Sequence, residues 1–132
     1  MRSLVLFLVG LAVGALCTLI LINTLNRGTA YPNAVMAIIG QQMKALDNSV
    51  KQSRCASTDL TPRLQILRLV ANDIELAFAD MQDQAQFGRY ASDLRAAADA
   101  ALMTPPANCN AAVTAISNLG KACDSCHRDY KD

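Results

Sequence analysis

The chain of 132 residues contains no tryptophan, few other aromatic residues (5%) and a single histidine, His127. It also lacks a block of charge of one sign, since 12 Lys and Arg residues face 11 Asp and Glu residues. Nucleic-acid binding therefore has no electrostatic support. What remains is rich in Ala, Leu, Met and Gln, which favours helices over strands. We expect one all-α protein with a modest core.

An apolar run, LVLFLVGLAVGALCTLILI, occupies residues 4–22 without a charged side chain. As a helix it would rise roughly 28 Å, close to the thickness of a bilayer's hydrocarbon core. This length predicts a transmembrane anchor over residues 1–27, with a signal peptide cleaved after Ala30 as the alternative. Arg2 favours a cytoplasmic amino terminus. The expected location is the inner membrane, single-pass, with residues 28–132 on the periplasmic side.

Four amphipathic helices are predicted after the anchor, because apolar residues recur there at steps of three and four. The first begins at Pro32, the second at Thr61, the third spans Phe87 to Leu102, and the fourth runs from about Asn110. Short loops between such helices are typical of an antiparallel four-helix bundle. The predicted fold is thus this bundle, preceded by one transmembrane helix.

The fourth helix carries Cys123-Asp124-Ser125-Cys126-His127, the CxxCH attachment pattern of c-type haem. On a helix, two sulfurs three residues apart share one side and can form thioethers with two vinyl groups, while the adjacent imidazole reaches the iron. We therefore expect one covalent haem c at Cys123, Cys126 and His127, with His127 as proximal ligand.

Two other interpretations of this motif stay open. A redox-active cysteine pair usually lies at a helix amino terminus, whereas this pair lies near a carboxyl terminus. A zinc site would need a fourth ligand, which Cys55 or Cys109 would have to supply.

The sequence GKACDSCHRDYK, on the last helix of a four-helix bundle, resembles the class II cytochromes c, which include cytochrome c′ and low-spin, methionine-ligated relatives. The resemblance covers about 100 residues, from Tyr31 to the end. In that family the first helix carries a residue on the distal haem face and a small residue four positions later. Met36 and Gly40 match this pattern.

The resemblance implies that Met36 is the distal haem ligand, because the antiparallel order brings it to the same end of the bundle as His127. Met36 packing on the haem without bonding iron is the alternative. Met43, two turns further on, is expected in the core. Pro32 stands where the family commonly has Arg near a haem propionate, so Arg27, Arg128 and Lys131 are the candidates for that contact.

The same topology brings two helix connections together at the end away from the haem. Cys55 lies in one and Cys109 in the other, so we expect a disulfide between them in an oxidising compartment, with two free thiols as the alternative.

These residues predict an electron carrier and not an enzyme, since a peroxidase would need a second histidine or an acid–base pair. A five-coordinate, cytochrome c′-like protein that binds NO or CO is the alternative. The expected partners are the membrane, through the N-terminal helix, and a redox protein or membrane oxidoreductase complex. A homodimer is left open, and no nucleic acid is expected.

Overall fold

A computed structural model describes the backbone of residues 2–130 and the side chains of residues 7–23 and 30–130. Its first helix, α1, spans Arg2–Lys51 and contains Pro32, where the sequence predicted a helix start. Contacts between residues divide the chain into two compact units, residues 1–33 and residues 34–132. Each unit is described by itself below.

The first unit is helical, and every residue from Phe7 to Asn23 is exposed. Within the described residues, no helix has both the length and the apolar character needed to cross a membrane. The predicted N-terminal transmembrane helix and the single-pass inner-membrane location are therefore wrong.

The second unit contains the carboxyl-terminal part of α1 and four further helices. They are α2 (Ser57–Val70), α3 (Ile74–Ala77), α4 (Ala85–Met103) and α5 (Cys109–Tyr130). Every element of residues 2–130 is helical, so the all-α class is confirmed.

Ion pairs show that α2 and α3 run antiparallel to α4. The Nε atom of Arg68 on α2 lies 2.7 Å from Oδ1 of Asp99, near the end of α4. Nη1 of Arg95, earlier on α4, lies 2.7 Å from Oε2 of Glu75, later along the chain than Arg68. The order of these contacts reverses between the two segments, as expected for neighbours in an antiparallel bundle.

The second predicted helix is interrupted in the structure. A 3₁₀ turn over Ala71–Asp73 separates α2 from α3, and Phe78 leaves the helical region with φ −108° and ψ 58°. Two side chains satisfy carbonyls near the interruption: Arg95 Nη1 donates to the Ala71 carbonyl at 3.4 Å, and Gln82 Nε2 donates to the Glu75 carbonyl at 2.9 Å. These hydrogen bonds compensate for backbone hydrogen bonds that a continuous helix would make. Tertiary contacts thus outweigh the local sequence preference for one continuous helix.

The core of the second unit is formed by the apolar faces of its helices. Leu46, Leu60, Leu67 and Leu119, from α1, α2 and α5, are almost fully buried. Two polar residues are buried as well, Gln42 and Ser49. The Ser49 hydroxyl donates to the Ala45 carbonyl at 3.0 Å, whereas Oε1 of Gln42 has no hydrogen-bond partner within the described part of the chain.

Candidate cofactor site

The site is built on the last two turns of α5. The helix begins with a side-chain cap, since the amide of Ala111 donates to Oδ1 of Asn108 at 2.9 Å. Its apolar face is fixed by Ala112 and Leu119, which are completely buried. This anchoring turns Cys123 and Cys126 inward, where both are half-buried, while His127 is exposed.

A cavity of about 300 Å³ lies beside these residues in the second unit. This volume is at the lower end of the range of small-molecule pockets. Its wall combines residues from α1, α3, α4 and α5, and most of them are apolar. The lining residues on α5 include Cys123, Asp124, Cys126 and His127. Both thiols and the imidazole of the CDSCH motif therefore face one common space.

Met36 and Gly40 on α1 line the same cavity, as does Gly120 on α5. A Cβ atom added to Gly40 or to Gly120 would meet no heavy atom within 4 Å. Both glycines thus border open space, and a side chain at either position would project into it. A flat group that needs close approach to a helix backbone fits such a wall.

Met43 packs against the core, as the sequence predicted, and it also lines the cavity. It is half-buried, like Met36. The two thioethers lie seven residues apart, which is about 10 Å along a helix. The cavity therefore extends along α1 for about two turns, and each methionine is a candidate for contact with a bound group.

The three cationic residues predicted to contact a propionate have different outcomes. The side chain of Arg27 and the whole of Lys131 lie outside the described residues. The side chain of Arg128 is described and is 72% exposed, with Nε 3.8 Å from Oδ1 of Asp129. Arg128 is not part of the cavity wall.

No group of three or more His, Cys, Asp or Glu side chains among the described residues is arranged to hold a metal ion. The expectation that the chain is metal-binding through such a group is therefore wrong. The zinc interpretation fails for the same reason, because Cys55 and Cys109 are bonded to each other and supply no fourth ligand.

The environment of the two site thiols argues against thiol redox chemistry. Burial raises the pKa of Cys123, and the charge of Asp124 raises it further. Burial also raises the pKa of Cys126, with a second contribution from Asp129. Redox-active cysteines need the opposite shift, because the thiolate is the reactive form.

The disulfide Cys55–Cys109 joins the connection that precedes α2 to the first residue of α5, with the two Cα atoms 5.1 Å apart. Ser53 adopts a left-handed conformation with φ 56°, and the amide of Arg54 donates to the Ser49 carbonyl at 2.8 Å. This turn ends α1 and directs the chain to Cys55.

Aromatic residues near the site were missed by the sequence analysis. Tyr90 on α4 lines the cavity, and its hydroxyl donates to Oδ2 of Asp129 at 2.5 Å. The ring of Tyr130 packs edge-on against Phe87 and Tyr90, with centroid distances of 5.4 and 6.2 Å. A periodic stripe places Phe87 and Tyr90 on the inner side of a helix, but it does not tell which neighbouring helix they meet.

No family model, no curated protein and no solved structure matches the chain. The resemblance to the class II cytochromes c therefore stays a prediction from sequence motifs.

Proposed function

We propose that this chain carries one covalently attached haem c and acts as a one-electron carrier for a redox partner protein. One observation supports this most directly: Cys123, Cys126 and His127 line a single apolar cavity that Met36 also lines. Because Cys55 and Cys109 are bonded to each other, Cys123 and Cys126 both remain free thiols. These two cysteines have the spacing that haem attachment uses.

Each site residue has a distinct role in this proposal. Cys123 and Cys126 form thioethers, so the group stays attached without depending on reversible ligation. His127, from the turn that holds Cys126, and Met36, from α1, would be the two protein ligands of the iron. The porphyrin provides the four remaining ligands, so a haem site does not require a cluster of three protein ligands. When bound, the group supplies a one-electron redox centre whose potential depends on its axial ligands and burial.

The apolar wall has two effects on such a centre. Ile74, Ala91 and Leu94 exclude water from the cavity side of the ring, and burial of this kind is one of the factors that tune potential. The uncovered glycine positions, Gly40 and Gly120, let the flat ring approach α1 and α5 closely.

A second candidate function is binding of a diatomic gas. It is favoured by the open space at Gly40, one helical turn after Met36. If Met36 packs beside the iron without bonding it, that space can accept NO or CO. The occupant of the sixth position therefore separates the two functions.

The test is to produce the chain together with a haem-attachment system and to extract the purified protein with acid and acetone. The wild type should retain haem, because thioethers survive extraction. The double variant Cys123→Ala/Cys126→Ala should release it. The matched control is Cys17→Ala, which changes an exposed cysteine outside the cavity. Retention of haem by the double variant, or its absence from the wild type, would contradict the proposal.

An absorption spectrum of the reduced protein, recorded before and after addition of CO, separates the two candidate functions. A six-coordinate site gives a low-spin spectrum with slow CO uptake. An open site gives a high-spin spectrum with fast uptake.

A further inference from the structure

The last turn of α5 needs support from outside the helix. Among the described residues α5 extends to Tyr130, and the last turn of a helix frays because its carbonyls lack helical partners. His127 lies within this turn and is exposed. Its direction therefore depends on whatever holds the turn in place.

One polar contact and two ring contacts join this turn to α4. The hydroxyl of Tyr90 donates to Oδ2 of Asp129, two residues after His127. The Tyr130 ring packs at 83° to Phe87 and at 78° to Tyr90, the edge-to-face geometry that aromatic pairs prefer. Phe87 is itself buried in the core, so it provides a rigid base for Tyr130.

Tyr90 takes part in both sides of this arrangement. Its ring lines the cavity, whereas its hydroxyl holds Asp129. A residue placed in this way can couple the wall of the cavity to the turn that carries the imidazole. The Tyr90 hydroxyl also interacts with Gln86 on its own helix, and Arg128 approaches Asp129 only at 3.8 Å, through the other carboxylate oxygen.

We propose that Tyr90 is a positioning residue that fixes the direction of the His127 imidazole through its hydrogen bond to Asp129. This inference rests on the proposed function, in which His127 is an axial ligand. Tyr90 itself need not touch the iron, because the helix backbone transmits the constraint from Asp129 to His127.

The first measurement uses the protein without haem and follows amide hydrogen exchange. The variants Tyr90→Phe and Asp129→Asn should each speed exchange of the Cys126–Tyr130 amides about threefold, a modest effect because the contact is exposed. The double variant should be no faster than either single one, because both remove the same bond. Amides of residues 113–118 provide the internal control, and Tyr31→Phe provides a matched loss of a hydroxyl elsewhere. Unchanged exchange in the single variants would overturn the proposal.

The second measurement uses the haem-loaded protein in its oxidised form. Electron paramagnetic resonance reports the plane of an axial imidazole through the largest g value. This value should shift in Tyr90→Phe and Asp129→Asn and stay constant in Tyr31→Phe. Faster exchange with an unshifted g value would show that the contact only stabilises the helix end, which would also overturn the inference. A wild type that takes up no haem would instead refute the proposed function, whatever the exchange result.

Discussion

Two methionines on one face of α1 border the same cavity, and they differ in their distance from the end of the bundle that holds His127. The antiparallel order expected from the sequence puts Met36 at that end, and Met43 follows two turns further along α1. Only one of them can supply a sixth ligand at a given iron position. The chain thus contains its own matched control for thioether ligation.

The prediction at this position is that Met36→Ala opens the site while Met43→Ala does not. Loss of a thioether ligand should change the spectrum from low-spin to high-spin and allow fast CO uptake, with the haem still held by His127 and both thioethers. Stopped-flow mixing of the reduced protein with CO measures the rate.

Two results would contradict this prediction. Fast uptake after Met43→Ala alone would assign the ligand to Met43. A wild type that is already high-spin and unaffected by Met36→Ala would favour the gas-binding function.

The sequence could predict that Cys123, Cys126 and His127 face one side of a helix, because their spacing is local, and the structure has all three on one cavity wall. It could not separate the environments of Met36 and Met43, since both belong to one apolar stripe and the boundary between core and cavity depends on neighbouring helices. Tyr90 was missed for a similar reason. Its partner, Asp129, lies 39 residues further along the chain, and no local pattern links the two.

The interrupted segment between α2 and α4 depends on side chains that it does not itself contain. Arg95 on α4 pairs with Glu75 and also donates to the Ala71 carbonyl. Its side chain is 20% exposed, so solvent screens the ion pair only in part. The segment contains no proline, and its apolar residues keep a helical spacing throughout. The sequence therefore gave no sign that the helix is interrupted there.

We predict that Arg95→Ala lowers the free energy of unfolding by about 1 kcal/mol, because it removes a charged hydrogen bond and leaves the Ala71 carbonyl short of a donor. Urea denaturation followed by circular dichroism measures the change. The control is Arg89→Ala on the same helix, where the exposed side chain contacts only Gln86 one turn away. Equal losses in the two variants would show that Arg95 has no special role in the break.

At the scale of the whole chain, the all-helical class followed from the sequence. The antiparallel order of α2 and α3 relative to α4 agrees with the short loops between them. The predicted membrane span is wrong, because no helix among the described residues is both long and apolar enough to cross a bilayer. The connections of α1 to α2 and of α4 to α5 meet where the topology predicted, and Cys55 and Cys109 lie there at bonding distance.

The disulfide should contribute strongly to stability. Its two cysteines are 54 residues apart, and closing a loop of that length removes enough chain entropy from the unfolded state to stabilise the fold by about 4 kcal/mol. The variant Cys55→Ala/Cys109→Ala should lose most of this amount in urea denaturation. Cys17→Ala is the control, since its thiol is exposed and unpaired. A double variant as stable as the control would contradict the prediction, as would peptide mapping that finds both thiols free.

The same bond makes residues 55–109 a closed covalent ring with a tail at each end. A protease that cuts once at the exposed residues 82–84 opens the ring without separating the molecule, whose mass increases only by one water. The two pieces then carry the halves of the site separately, with Met36 in one and the CDSCH motif in the other. Under denaturing conditions, a nicked chain should therefore migrate as a single molecule until a reductant is added, and only then separate into two fragments.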